Sequence, residues 1–224
     1  MKCKKCGCEM SDEALFCPEC GTKVETVETT TTPSKSENPY DISSIWPEWQ
    51  VEKQLGKGAF GTVYQVSRHD HNLTSYAAVK VISIPQDSSE IDTLRSEGLD
   101  INASKTYLKG VVDDVVREIQ LMESFKGVQN IVSVEDYRVV ERTDELGWYI
   151  YIRMELLTPF NTYICDKKMS EEEIIKLGCD ICTALELCEQ KKIIHRDIKP
   201  ENIFVNDFGF FKLGDFGHRG RYNS

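Results

Sequence analysis

No apolar run in this chain approaches the ~20 residues needed to cross a bilayer. The best stretch, Trp148 to Leu157, is broken by Arg153 and Glu155. A secretory leader is lacking too: Lys2, Lys4 and Lys5 are followed by cysteines and acids, not by an apolar stretch. A cytoplasmic location with no membrane segment is therefore expected. Basic residues are in deficit, 27 against 37 acidic ones for a net charge of −10, which argues against nucleic acid as a partner. No internal repeat is visible. Large apolar side chains almost vanish from residues 25–41 (VETVETTTTPSKSENPY), so this stretch reads as a solvated, flexible linker, extending to residue 45.

What is present supports a packed body. The 224 residues suffice for one or two domains, and a hydrophobic fraction of 40% is ordinary for a globular chain. Nine cysteines, an odd number without a leader, point to reduced thiols. Cys182 and Cys188 fall among apolar positions of an expected helix and read as core. Cys179-x-x-Cys182 is one pair only, half of a metal site. The remaining cysteines crowd the first twenty residues, where Cys3-x-x-Cys6 and Cys17-x-x-Cys20 are separated by ten residues. Two such knuckles direct four thiolates at one tetrahedral ion. Gly7 and Gly21 follow the second cysteine of each pair, and Cys8 is a spare that competes with Cys6. Residues 1–24 resemble the short zinc-ribbon modules of many bacterial and archaeal proteins. The Zn²⁺ site so implied is structural, since four thiolates leave no open position, and it supplies a docking module for a protein partner.

From Trp46 the pattern changes. Residues 49–56, 62–67 and 76–84 have strand composition, with a glycine-rich turn between the first two. Residues 107–125 carry Val112, Val115, Val116, Ile119 and Met122 at helical spacing. Strands are expected at 131–140 and 148–157. A second helix over 171–190 opens on Ser170 and Glu173, a capping box, and carries an apolar stripe of Ile174, Leu177, Ile181, Leu185 and Cys188.

Short motifs punctuate this order. Gly56-x-Gly58-x-x-Gly61-x-Val63 joins two strands, which disfavours its dinucleotide-binding version. Ala77-Ala78-Val79-Lys80 ends in an ammonium within an apolar strand, and such a charge needs a partner. Residues 195–202 read His-Arg-Asp-Ile-Lys-Pro-Glu-Asn, and Asp215-Phe216-Gly217 begins thirteen positions beyond Asn202.

Over residues 49–217 these motifs resemble the eukaryotic-type serine/threonine protein kinases. The resemblance implies an α+β, protein kinase-like fold with a five-stranded antiparallel small lobe containing one helix (residues 46–157). The start of a helical large lobe would occupy residues 158–224, behind the small zinc ribbon. It implies phosphoryl transfer from MgATP to a Ser or Thr hydroxyl of a protein substrate. Asp197 would act on the acceptor hydroxyl, with Lys199 and Lys80 steadying the phosphates. Glu118 would be the helix carboxylate paired with Lys80, with Glu123 as competitor. The ATP site would comprise Leu55, Gly56, Gly58, Gly61, Val63, Ala78, Lys80, Glu118, Glu155, Leu157 and Phe204, the backbone after Met154 meeting the purine edge. Asn202 and Asp215 would hold Mg²⁺, while His195 and Arg196 keep the loop in shape.

Two departures accompany the resemblance. The gap from Lys80 to Glu118 is longer than usual, so residues 86–104 read as an acidic insertion. The sequence also stops seven residues after Gly217, with no Ala-Pro-Glu motif. The expectation is an incomplete catalytic domain, explained by a truncated reading frame, by completion from another chain, or by a minimal pseudokinase. A catalytically inactive nucleotide-binding or scaffold fragment is the alternative reading.

Overall fold

The computed structural model describes residues 40–58, 61–165 and 167–215. The expected zinc ligands Cys3, Cys6, Cys17 and Cys20, the linker up to residue 39, the glycine-loop tip at Ala59 and Phe60, and the residues from Phe216 onward lie outside the described residues.

Five strands form one antiparallel sheet, β1 (Gln50–Gly58), β2 (Gly61–Asp70), β3 (Leu73–Ile84), β4 (Val134–Glu141) and β5 (Trp148–Glu155), in the spatial order β1-β2-β3-β5-β4. Alternate side chains of a strand point to opposite faces, and here both faces are covered over the middle strands. On β3, Ala77, Val79 and Val81 are buried on one side. Their cover comes from the segment ahead of the sheet. There α1 (Ile42–Ile45) and the residues after it bury Ile42, Trp46 and Trp49 against Tyr64, Val66 and Tyr151. The Asp41 carboxylate caps this short helix by accepting from the Ser44 N–H at 3.1 Å. The packed body thus begins at Tyr40, ahead of the expected end of the linker at residue 45.

The opposite face carries Ile84, Ile150 and Ile152 and packs on α3 (Ile101–Glu123). The buried positions of α3 (Ser104, Leu108, Val112, Val115, Ile119, Met122) recur at three- and four-residue steps. Asp100 caps the helix, its Oδ1 accepting from Ala103 N at 2.7 Å, so the helix starts before the expected residue 107. The expected insertion is itself helical. Here α2 (Ser88–Ser96) starts from the N-cap Asp87 and buries Leu94 against the same core.

The turn between β4 and β5 is locked to the end of β3 by one side chain. Arg142 donates to the Ser83 hydroxyl, to Pro85 O at 3.0 Å and to Glu145 at 2.5 Å, and its guanidinium lies over Tyr149. Gly147, at φ +150, passes so close to β3 that a Cβ there would sit 2.5 Å from Ile84 O.

Beyond β5 the chain forms β6 (Thr158–Pro159), α4 (Phe160–Cys165) and α5 (Glu171–Gln190), then β7 (Ile203–Val205) and β8 (Phe211–Leu213). Strands β6, β7 and β8 make a small sheet. The capping box at the start of α5 is formed in both directions, Ser170 N to the Glu173 carboxylate at 2.9 Å and Glu173 N to Ser170 Oγ at 3.2 Å. Lys167 bonds to the same carboxylate and, with the Ser170 backbone and Tyr163, holds its pKa down at about 2. The apolar stripe of α5 is partly covered: Cys188 is buried and Leu177, Ile181 and Leu185 pack on the core, but Ile174 is 57% exposed, and Cys182, expected in the core, is exposed. Periodicity identifies a face without saying how far a neighbour extends over it. The tie from α5 to β8 is Asp180, whose carboxylate accepts from Phe211 N at 2.9 Å.

The two parts are knitted together behind α3. Val132 N donates to Leu213 O, and Leu213 N to Asn130 O, each at 2.9 Å. Among the described residues no helix is long and apolar enough to cross a membrane.

Replacing Leu108, which is fully buried, by Ala is expected to cost about 2–5 kcal/mol. The 70% exposed Ile101→Ala is expected to stay within about 0.5 kcal/mol. Urea denaturation midpoints of the two variants check the contrast.

Candidate active site

A cavity of about 560 Å³ opens between the five-stranded sheet and the loops that succeed α5. Its upper wall is set by strand alternation. Ala78, Lys80 and Ile82 share one face of β3, and Lys80 stands opposite Val63 on β2 and Ile152 on β5. The lining includes Leu55, Gly56, Val63, Ala78, Lys80, Glu118, Glu155, Leu157 and Phe204. The loop residues Asp197, Lys199, Asn202 and Asp215 line it as well. Gly58 and Gly61 pair with each other at the end of the β1–β2 hairpin and are not part of the lining. Gly61 has φ +119, and a Cβ on it would stand 2.3 Å from Val81 O, so no larger residue fits there unmoved.

Lys80 Nζ donates to Asp215 Oδ1 at 2.6 Å, joining residues 135 positions apart. The lysine side chain is only 13% exposed and the aspartate 46%. Glu118, on the cavity side of α3, lines the same space. Below them Asp197 Oδ2 accepts from Lys199 Nζ at 2.7 Å and from Asn202 Nδ2 at 2.9 Å. The Lys199 hydrogen bond leads the effects that hold the Asp197 carboxyl below its usual range, and the same bond raises Lys199. At neutral pH the site therefore carries an ionised carboxylate beside an ammonium.

The loops bearing these groups are braced by Gly214. His195, 1% exposed, donates from Nε2 to Gly214 O at 3.0 Å, and Gly214 N donates to Asn202 O at 2.9 Å. The brace holds unusual backbone. Arg196 and Asp215 have φ of +64 and +50, left-handed values that cost an L-residue roughly 1–2 kcal/mol. That conformation turns the Asp215 carboxylate toward Lys80 and positions Asp197 one residue after the turn at Arg196.

The donor set suits a hard divalent ion. Asn202 uses its amide nitrogen on Asp197, which leaves its oxygen for a cation, and Asp215 offers a second oxygen. Among the described residues no three His, Cys, Asp or Glu side chains form a metal cage.

On the side of β5, Glu155 is held by polar bonds. Its Oε1 accepts from Ser133 N at 2.7 Å and Lys212 Nζ at 2.5 Å, and its N–H donates to Ser133 O at 3.2 Å. The Glu155 carboxylate is thus occupied by Ser133 and Lys212, and residues 155–157 border the cavity. The motifs point to neither Ser133 nor Lys212. The available signal is Lys212 itself, a charge between Phe211 and Leu213 in a short apolar strand. Equally unsignalled is the cavity's extension past Lys80 along Ile82, Ile84, Val111 and Val115 to Gln86 and Glu90.

Comparison with known proteins agrees with this arrangement. Residues 49–224 match the protein kinase domain family, and the chain belongs to that family. It is 32% identical over 171 residues to a probable serine/threonine-protein kinase of Dictyostelium discoideum, a match covering 76% of this chain and 22% of that protein. Aurora/IPL1-related protein kinase 2 of Caenorhabditis elegans is 28% identical, over 85% of this chain and 52% of its own length. Calcium-dependent protein kinase 11 of Arabidopsis thaliana is also 28% identical, over 83% and 33%. The chain spans about half the length of these curated relatives or less.

Burial lowers the His195 pKa from its ordinary 6.5. The unfolded chain therefore takes up a proton near pH 6.5 while the folded one resists, so stability falls as pH drops through that region. His195→Gln, which can still donate to Gly214, is expected to flatten this part of the profile. Urea midpoints measured from pH 7.5 to 5 check the slope.

Proposed function

We propose that this chain carries the ATP-handling part of a serine/threonine protein kinase, transferring a phosphoryl group from MgATP to a protein hydroxyl. One observation carries the reading: Lys80, Asp197, Lys199, Asn202 and Asp215, drawn from separate segments, all face a single cavity. The apolar walls Leu55, Val63, Ala78 and Phe204 suit a purine, with the backbone of residues 155–157 offering hydrogen bonds to its edge. Lys80 anchors phosphate oxygens, and Asn202 with Asp215 would hold Mg²⁺, which neutralises phosphate charge when bound. Asp197 accepts the proton of the attacking hydroxyl, and the Lys199 ammonium beside it stabilises charge on the phosphoryl group in flight. Lys199 also favours Ser and Thr over Tyr as acceptors, by its resemblance to the serine/threonine branch.

The reading extends to the N-terminus. Cys3, Cys6, Cys17 and Cys20 are proposed to bind one structural Zn²⁺ in a ribbon that docks a protein partner, supported by the spacing of the two pairs.

Two measurements test these proposals. With MgATP and a Ser/Thr-containing protein, the chain is expected to transfer labelled phosphate. Asp197→Ala should lower that rate about 10²–10⁴-fold while keeping thermal stabilisation by MgATP. Stabilisation without transfer in the unaltered chain favours the non-catalytic scaffold instead. For the ribbon, native mass spectrometry is expected to detect one zinc, lost when Cys17 and Cys20 are replaced by Ser.

A further inference from the structure

The segment ahead of the sheet does more than cover an apolar face. Trp46 and Trp49 are 4 and 3% exposed, and the Arg153 guanidinium lies 5.6 and 4.8 Å from their ring centres. Cations at this range are attracted by the faces of indole rings. Arg153 also donates to the Glu135 carboxylate at 2.8 Å. The Trp46 indole N–H donates to Asp136 Oδ2 at 2.9 Å, and the other oxygen of that carboxylate accepts from Tyr137 N at 2.9 Å and Arg138 at 2.5 Å.

These three partners lie at one place in the sheet. Strand β4 pairs Val134 with Met154 and Asp136 with Arg153, so Glu135 is the extra residue of a bulge. Bulges bend a strand and re-aim its neighbouring residues. Just ahead of this bulge, Ser133 exchanges its bonds with the backbone and carboxylate of Glu155. Met154, Glu155 and Leu157 border the cavity. The path from the tryptophans to the cavity wall therefore runs through ring contacts and hydrogen bonds to Arg153, Glu135 and Asp136, then along two residues of backbone in each strand to the Ser133–Glu155 pair.

We propose that Trp46 and Trp49 are positioning residues for nucleotide binding: by gripping Arg153 and Asp136 they fix the β4 bulge and so set the backbone of residues 155–157. The effect on affinity rests on the reading that this cavity takes a nucleotide, whereas the effect on the backbone does not. Trp46 does not line the cavity, so its contribution falls on affinity and leaves the Asp197 loop unaltered.

The test uses the full chain, Trp46→Phe, which keeps an aromatic face and loses the indole N–H, and Ile45→Ala, which loosens the same segment without touching the grip. The first readout is hydrogen exchange at the Glu155 amide in nucleotide-free protein. The second is the calorimetric dissociation constant for MgADP. Trp46→Phe is expected to speed exchange at Glu155 and weaken MgADP roughly three- to tenfold, the usual scale for one lost hydrogen bond. Ile45→Ala is expected to leave both unchanged even where its melting temperature falls equally. Unchanged exchange at Glu155 in Trp46→Phe, or equal acceleration in Ile45→Ala, overturns the proposal and reduces the segment to a cover. If the unaltered chain binds no MgADP, the nucleotide reading fails, and the exchange measurement still decides whether the tryptophans set the backbone.

Discussion

Lys80 sits between Val79 and Val81 in a strand rich in apolar residues, and its ammonium is largely shut off from water. A charge so placed must be matched nearby, because desolvation without a partner costs several kcal/mol. The match is Asp215, carried by a loop 135 positions later. That loop is braced at Gly214, bonded on both sides through His195 and Asn202. Those two residues in turn flank Asp197. The electrostatic demand of one buried lysine is thus tied, through Gly214, to the loop that bears Asp197 and Asn202.

Much of this is legible in the residues. Strand alternation around Lys80 announces a buried ammonium, and the glycine-rich turn between two strands announces a hairpin over the cavity. The α3 stripe gives its buried face, and Ser170 with Glu173 gives the start of α5. Other features leave weaker traces. Asp87 and Asp100 are good helix caps, but comparison with expected segment lengths suggests an insertion where α2 and the first turns of α3 stand. The segment around α1 lies next to a Ser-, Thr- and Pro-rich stretch, and four residues are too few to show a period. Its signal is aromatic content, Tyr40, Trp46 and Trp49 together. The bulge at Glu135 has no signal in the sequence, since it depends on partners that meet only in the folded sheet.

The fold also shows where covering stops. The middle strands of the sheet are covered on both faces, by α3 on one and by the Trp46–Trp49 segment on the other, while β1 is largely exposed. On α5, by contrast, Ile174 and Ile175 are 57 and 59% exposed. The small lobe is thus the better insulated half among the described residues. Its polar contacts, such as Arg153 between two indoles and Arg142 over Tyr149, operate at low dielectric, where hydrogen-bond geometry is enforced more strictly.

Helix α3 has 23 residues, which at 1.5 Å each makes a rod of about 35 Å. Glu118 lies near one end, where Val115, Ile119 and Met122 are embedded. Toward the other end Leu108 is fully buried, and Lys105 adds a surface pair with Glu141 at 2.5 Å while both side chains remain about half exposed. An exposed pair of this kind is screened by salt, whereas apolar embedding is not. Rising ionic strength therefore loosens this surface pair and leaves the apolar anchors in place, Leu108 as well as Val115, Ile119 and Met122, so the seat of α3 on the sheet resists salt along its length.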